Sequence, residues 1–179
     1  MGASDVDITR MHFPIDTRQF GTQGSTLADT ERLRSDIGVA SNVVVITMAG
    51  KFIDRKRQRD LIEACRRFTI EQAYLLLIGS RPDLEELSKL IKSVDNVTVV
   101  GFVAPNELAP YYELTGTYAH VSSYDPHLLA VNEALASGCA LVVSSATGSW
   151  GPNDDVRSFQ NRFVVEEGNT NALRWLWVC

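Results

Sequence analysis

Val43–Gly79 reads VVVITMAGKFIDRKRQRDLIEACRRFTIEQAYLLLIG. It opens with an apolar run ending at Gly50 and closes with a second apolar run, Ala73–Ile78, ending at Gly79. Between them lie a basic loop and a stretch, Asp60–Phe68, that reads as helix. Neither apolar run alternates with polar residues, so both predict strands buried on both faces, as in a parallel sheet covered by helices.

The pattern continues on the C-terminal side. Pro82–Ser93 reads as helix, with Pro82, Asp83, Glu85 and Glu86 suited to a first turn. Val97–Val100 is a third strand followed by Gly101, Asn106–Glu113 a short helix, and Thr117–Val121 a fourth strand. His127–Ser137 is a helix closed by Gly138, and Ala140–Val143 is a fifth strand. Gly148–Asp155 reads as loop, Arg162–Val165 as a sixth strand and Thr170–Trp177 as a final helix. Strands alternating with helices predict an α/β fold: a doubly wound, Rossmann-like parallel sheet. Such sheets bind ligands at the carboxyl ends of their strands, so residues 50–56, 79–82, 101–105 and 122–128 should line one edge. No G-x-G-x-x-G fingerprint is present, which argues against a nicotinamide or flavin dinucleotide. Towards the N-terminus, residues 1–24 read as an incoming linker, with Met11–Phe20 lacking a helical period and interrupted by Pro14. Thr26–Ile37 reads as a helix opening the domain, taken as residues 25–179.

The chain has 179 residues, of which 45% are hydrophobic, enough for one domain with a substantial core. No apolar run approaches the ~20 residues that span a bilayer, and the N-terminus has no apolar core of the secretory type. Cys65, Cys139 and Cys179 are few, odd in number and widely spaced; they read as reduced thiols in a cytoplasmic protein, Cys65 and Cys139 as packing residues. The net charge of −5 argues against general nucleic-acid binding. Yet seven of the 17 basic residues fall between Lys51 and Arg67, a cluster suited to a small anion.

Three places can carry chemistry. Gly50, Lys51, Arg55 and Lys56 lead from the first strand into the first helix of the sheet, where cations oppose the helix dipole unless an anion binds; the alternative is a solvated basic face. Asp125 precedes the His127–Ser137 helix, whose free amides suit a phosphate; it is either an N-cap or an acceptor for sugar hydroxyls. Glu133 lies inside that largely apolar helix, where an unpaired carboxylate is costly; it is either satisfied by local donors or faces a ligand diol. His127 stands in the same loop as a contact candidate or a structural residue. His12 and His120 have no metal-ligand spacing, no serine sits in a G-x-S-x-G elbow, and Trp150, Trp175 and Trp177 read as packing residues.

Together these motifs resemble the C-terminal, nucleotide-sugar-binding half of GT-B glycosyltransferases, specifically glycosyltransferase family 4 (glycosyl transferases group 1). The resemblance runs from Phe13 to Leu173. Phe13-Pro14-Ile15-Asp16 through Phe20 looks like the linker leaving the acceptor domain. Gly50-Lys51 and Arg55-Lys56 look like the basic pair on the donor diphosphate, with Asp60–Ala64 as the helix after it and Leu77-Ile78-Gly79 as the second strand end. Val100–Val103 resembles the turn whose backbone, here at Phe102 and Val103, reads the base. Ser122–Gly138 resembles the acid-x7-acid motif, with Asp125 towards the donor sugar, Glu133 towards the ribose, and the amides of His127, Leu128 and Leu129 near the phosphates. Departures are Lys51 for arginine, Asp125 for glutamate, Pro126-His127-Leu128 for Gly-Phe-Gly, and Arg162 for the glycine common after Asn161.

The resemblance implies a retaining, metal-independent transfer of a hexose from a nucleoside diphosphate sugar, without a cofactor, to a glycan or lipid-linked acceptor. Lys51, Lys56 and Asp125 would be the catalytic residues. It also implies an N-terminal acceptor domain missing from this chain, a C-terminal end short of the family's final helices, and an apolar patch where the other domain docks. The chain alone is then not catalytically competent; its parent is cytoplasmic, or held at the inner face of a membrane. Two other readings stay open: a non-catalytic nucleotide-binding module or fragment, and a GT-B-like nucleotide-sugar epimerase.

Overall fold

In a computed structural model, residues 14–21, 25–80, 84–126, 129–148 and 162–175 are described, and every structural statement below refers to them. Six strands form one sheet: β1 (Val44–Ala49), β2 (Ala73–Ile78), β3 (Val97–Gly101), β4 (Thr117–His120), β5 (Ala140–Ser144) and β6 (Arg162–Val165). Their order is β3-β2-β1-β4-β5-β6 and every pairing is parallel. The doubly wound α/β sheet expected from the apolar runs is thus the one found. β1 pairs with β2 along its length, Val44 opposite Ala73 through Ala49 opposite Ile78. On its other side β1 meets β4, with Ile46 opposite Thr117. The strand order therefore reverses between β1 and β4, and the loops leaving these two strands flank a crevice at the carboxyl edge.

Period-two alternation divides the strand residues between two cores. Ile46 and Met48 of β1 with Leu75 and Leu77 of β2 pack on Leu61 and Ile62 of α2 (Gln58–Cys65), Leu87 of α3 (Leu84–Ile91) and Leu173 of α6 (Thr170–Trp175). On the opposite face Ala49, Ile78, Tyr118, Leu141 and Val143 pack on Tyr112 of α4 (Ala109–Leu114) and on Val131 and Ala134 of α5 (Leu129–Ala136). Val45, Tyr74 and Leu76 continue that face under Leu114, with Leu33 of α1 (Leu27–Asp36) against them. Thr26 starts α1 with a capping box: its side chain accepts from the Asp29 amide, and the Asp29 side chain accepts in return. Beside the sheet, Phe20 of the expected linker is buried, edge-on to Tyr112 at a centroid distance of 5.6 Å.

The strands lie within a residue of their sequence positions, whereas three helices differ, the one expected at Pro82–Ser93 ending at Ile91. The helix expected at Asp60–Phe68 runs from Gln58 to Cys65. It follows a 3-10 turn at Asp54–Lys56 and a left-handed Arg57, φ 54°. That backbone is costly for a residue with a Cβ, and the Arg57 side chain ties it down through Asp60 at 2.6 Å and Glu167 at 3.4 Å. The helix expected at Asn106–Glu113 is a 3-10 turn, Pro105–Glu107, followed by α4, in whose first turn Pro110 lies. Proline lacks the amide that would carry one helix through this point. His127, Leu128, Trp150, Trp177 and Asn161 lie outside the described residues, as does most of the expected loop after Gly148.

Candidate functional site

The site is built where the β1 and β4 loops cross. Gly50 ends β1; its amide donates to the Ile78 carbonyl at 2.8 Å, and the Gly79 amide donates to Gly101 O at 2.8 Å. Phe52, wholly buried, plugs the β1 loop into the core, and its amide donates to Ser80 O at 3.0 Å. Ser123, after β4, clasps the same loop: its amide donates to Arg55 O at 2.8 Å and its hydroxyl to the same oxygen at 3.3 Å. This clasp brings Lys56 to Asp125, 69 positions away, and Nζ donates to Oδ2 in an almost fully covered ion pair. Gly50 flanks the ammonium, since a Cβ there would stand 3.9 Å from Lys56 Nζ.

Asp125 is held from three more directions. His120 Nε2, at the end of β4, lies 2.9 Å from the same Oδ2, and Ser122 Oγ is 3.0 Å from that nitrogen. The Asp125 backbone pairs with Thr147 as an isolated parallel bridge, and its carbonyl accepts from the Gly148 amide at 2.9 Å. Burial pushes the Asp125 carboxyl up, but hydrogen bonds from His120 and Lys56, and the charge of Lys56, outweigh it; the group sits well below the usual carboxylate range. Burial lowers the imidazole of His120, as does the charge of Lys56, while Asp125 opposes them; the balance leaves it below the ordinary value.

Glu133 sits deeper along α5, half-buried, where Oε2 accepts from the Tyr112 hydroxyl at 2.8 Å. Burial raises its carboxyl against that bond. Of the alternatives weighed for this residue, the local donor is present as the Tyr112 hydroxyl, and the carboxylate stays partly exposed. The ring of Tyr112 lies 5.8 Å from Tyr118, and Tyr118 is stacked at 25° and 6.3 Å on His120. Glu133 and Asp125 thus end a row of three buried rings.

The other sequence-derived candidates are spread along the same edge. Lys51 is exposed and makes no ion pair with a described residue, while its carbonyl accepts from the Gln58 side chain at 2.9 Å. Much of the remaining basic cluster has structural partners: Arg57 as above, Arg66 on Leu90 O and Ser93, and Arg67 on Asn171. Phe102 is 73% exposed after β3 and Leu129 48% exposed at the start of α5, with Val103 half-buried on the second core. Tyr124, 61% exposed after β4, adds a further apolar ring to the edge loops. The candidates His127 and Leu128 lie outside the described residues. His120, Tyr112 and Tyr118 were not singled out from sequence; the available signal was one histidine ending an otherwise apolar strand five residues before Asp125. Among the described residues no three His, Cys, Asp or Glu are grouped to hold a metal ion, and no helix is long and apolar enough to cross a membrane.

The family model described as "Glycosyl transferases group 1" matches residues 29–176. The alpha-monoglucosyldiacylglycerol synthase of Acholeplasma laidlawii is 25% identical over 144 residues, 78% of this chain and 36% of that protein. Among solved structures, HepE of Anabaena in complex with UDP-glucose superimposes with a TM-score of 0.78 at 23% identity, over 91% of this chain and 44% of that one. The C-terminal domain of LpcC, a glycosyl transferase group 1 family protein of Francisella tularensis, gives 0.73 at 22% identity, over 90% and 84%. At these identities the structural likeness shows the fold alone. The chain spans well under half the length of the curated relatives it matches.

Proposed function

The chain belongs to the glycosyl transferases group 1 family, and we propose that it is the donor-binding domain of a retaining, cytoplasmic hexosyltransferase. The observation that carries this reading is the meeting of Lys56 and Asp125 in the crevice where the strand order reverses between β1 and β4. The relatives support the substrate class, since HepE has been solved with UDP-glucose.

In this reading the sugar's C1–oxygen bond to the diphosphate breaks, and a bond from an acceptor hydroxyl to C1 forms on the same face. The acceptor's proton passes to the leaving phosphate oxygen. The acceptor is a glycan or lipid-linked hydroxyl brought by an N-terminal domain. Lys51 and Lys56 offset the charge developing on the diphosphate, with no metal ion or cofactor invoked. The phosphates are assigned, by the family resemblance, to the backbone amides of His127, Leu128 and Leu129. Asp125 accepts from the sugar and Glu133 from the ribose, while Gly50 leaves room beside the ammonium and Phe102 and Val103 border the base. Lys56 must be shared with, or surrendered by, Asp125 when the diphosphate arrives.

Calorimetric titration with UDP, GDP and ADP tests the reading. One nucleotide should bind, and Lys56→Ala and Glu133→Ala should each abolish binding. Retention of binding in both variants would refute the assignment.

A further inference from the structure

Asp125 receives two donors on one oxygen, and they differ in mobility. Lys56 reaches Oδ2 from the end of the 3-10 turn that follows β1, on a flexible four-carbon stem. His120 reaches the same atom from inside β4, where it is opposite Val143 in the ladder and its ring lies on Tyr118. An anion entering the crevice competes for the ammonium and has no comparable hold on the imidazole. We propose that His120 is a positioning residue: a neutral imidazole donating from Nε2 to Asp125, it keeps that carboxylate in place when Lys56 turns to a donor diphosphate. The inference rests on the donor-site reading above and adds to it a residue that does not itself touch the donor.

Three features favour this role. The imidazole is buried, and an ionised Asp125 selects the tautomer with hydrogen on Nε2. Nδ1 is buried without a hydrogen-bond partner among the described residues, so a second proton would create a charge with nothing to accept from it. The groups facing the ring are Asp125, Lys56, Tyr118 and Ser122; Asp125 favours imidazolium, burial and Lys56 oppose it, and the balance lies below the ordinary value. Without His120, withdrawal of Lys56 would leave a buried carboxylate with neither of its side-chain donors, an arrangement costly enough to move the loop.

Two measurements separate this inference from the reading beneath it. Long-range proton–nitrogen spectra of the imidazoles, with His120 assigned by its loss in His120→Gln, read the contact without any nucleotide. The neutral Nε2–H form should be found at pH 8 in the wild type and persist in Lys56→Met. An Nδ1–H tautomer, or one that changes when Lys56 is removed, would overturn the proposal. Calorimetry with UDP and UDP-glucose then reads the consequence. His120→Leu should weaken UDP-glucose about tenfold, the effect of one hydrogen bond to a charged group, while UDP changes less than twofold; His120→Gln should restore the difference. Equal loss for both ligands, or none, would overturn it. A wild type that binds no nucleotide counts against the donor-site reading, and the tautomer still decides what His120 does. If His120→Leu does not fold, the tautomer in the wild type and Lys56→Met carries the test.

Discussion

Replacing Gly79 by alanine probes the geometry on which the whole carboxyl edge depends. A Cβ built at Gly79 falls 1.7 Å from the Gly50 carbonyl oxygen, 2.8 Å from its carbon and 3.3 Å from Phe52 Cε1. To reach ordinary contact the two strands' exits would have to separate by roughly 1.5 Å or more. Neither is free to do so, because Gly50 N is bonded to Ile78 O and Gly79 N to Gly101 O, each at 2.8 Å. Overpacking of this kind costs about 1–3 kcal/mol, and straining one of those hydrogen bonds adds about 1 kcal/mol. The expected loss of roughly 3 kcal/mol lowers Tm by about 6–12 °C in a chain of this size. Gly138→Ala is the control: a Cβ there meets nothing within 4 Å, and only its φ of 82° is unfavourable, which costs about 1–2 kcal/mol. Thermal unfolding followed by circular dichroism compares the two variants. A Gly79→Ala protein melting within 2 °C of the wild type (about 1 kcal/mol or less), or no lower than Gly138→Ala, would show that the strand exits are not packed as described.

Three further outcomes are expected. Glu133→Gln keeps an acceptor for the Tyr112 hydroxyl and removes a half-buried charge. Because the folded-state carboxyl is raised, its ionisation destabilises the fold as pH rises through that value. The variant should therefore melt roughly 1–3 °C higher at pH 7, lose that advantage at pH 4, and bind nucleotide poorly; no stabilisation at pH 7 would contradict it. Asn96→Leu removes a buried amide whose Nδ2 serves Cys65 O, Phe68 O and Ala73 O at 3.0–3.2 Å, so urea unfolding should show a loss of about 2–4 kcal/mol, and a loss below 1 kcal/mol (less than one ordinary hydrogen bond) would contradict it. His120 has a depressed folded-state value, so the unfolded chain takes up a proton that the folded one refuses. Stability should fall as pH drops below about 6.5, and His120→Gln should flatten that slope; equal slopes in the two proteins would count against it.

Much of the fold was legible because its signals are local. A strand buried on both faces must be apolar throughout, and β1, β2 and β5 are recognisable from composition alone. Helix starts were less legible where backbone geometry intervened: the left-handed Arg57 is held by Asp60 and by Glu167, the latter 110 positions away, a contact that no window on the sequence displays. Within the site, Gly50, Lys51, Lys56, Asp125 and Glu133 were named from residue type and position on the chain. What each touches was not.

Residue order alone carries the alternation of strands and helices, the edge on which the loops gather, and the carboxylates and cations available there. It took the folded chain to show that Lys56 and Asp125 neutralise each other, that Tyr112 satisfies Glu133, and that His120 joins the acid at the crevice. The reason is physical: hydrophobic periodicity is a property of neighbours along the chain, whereas an ion pair belongs to residues that the reversal of strand order between β1 and β4 brings together.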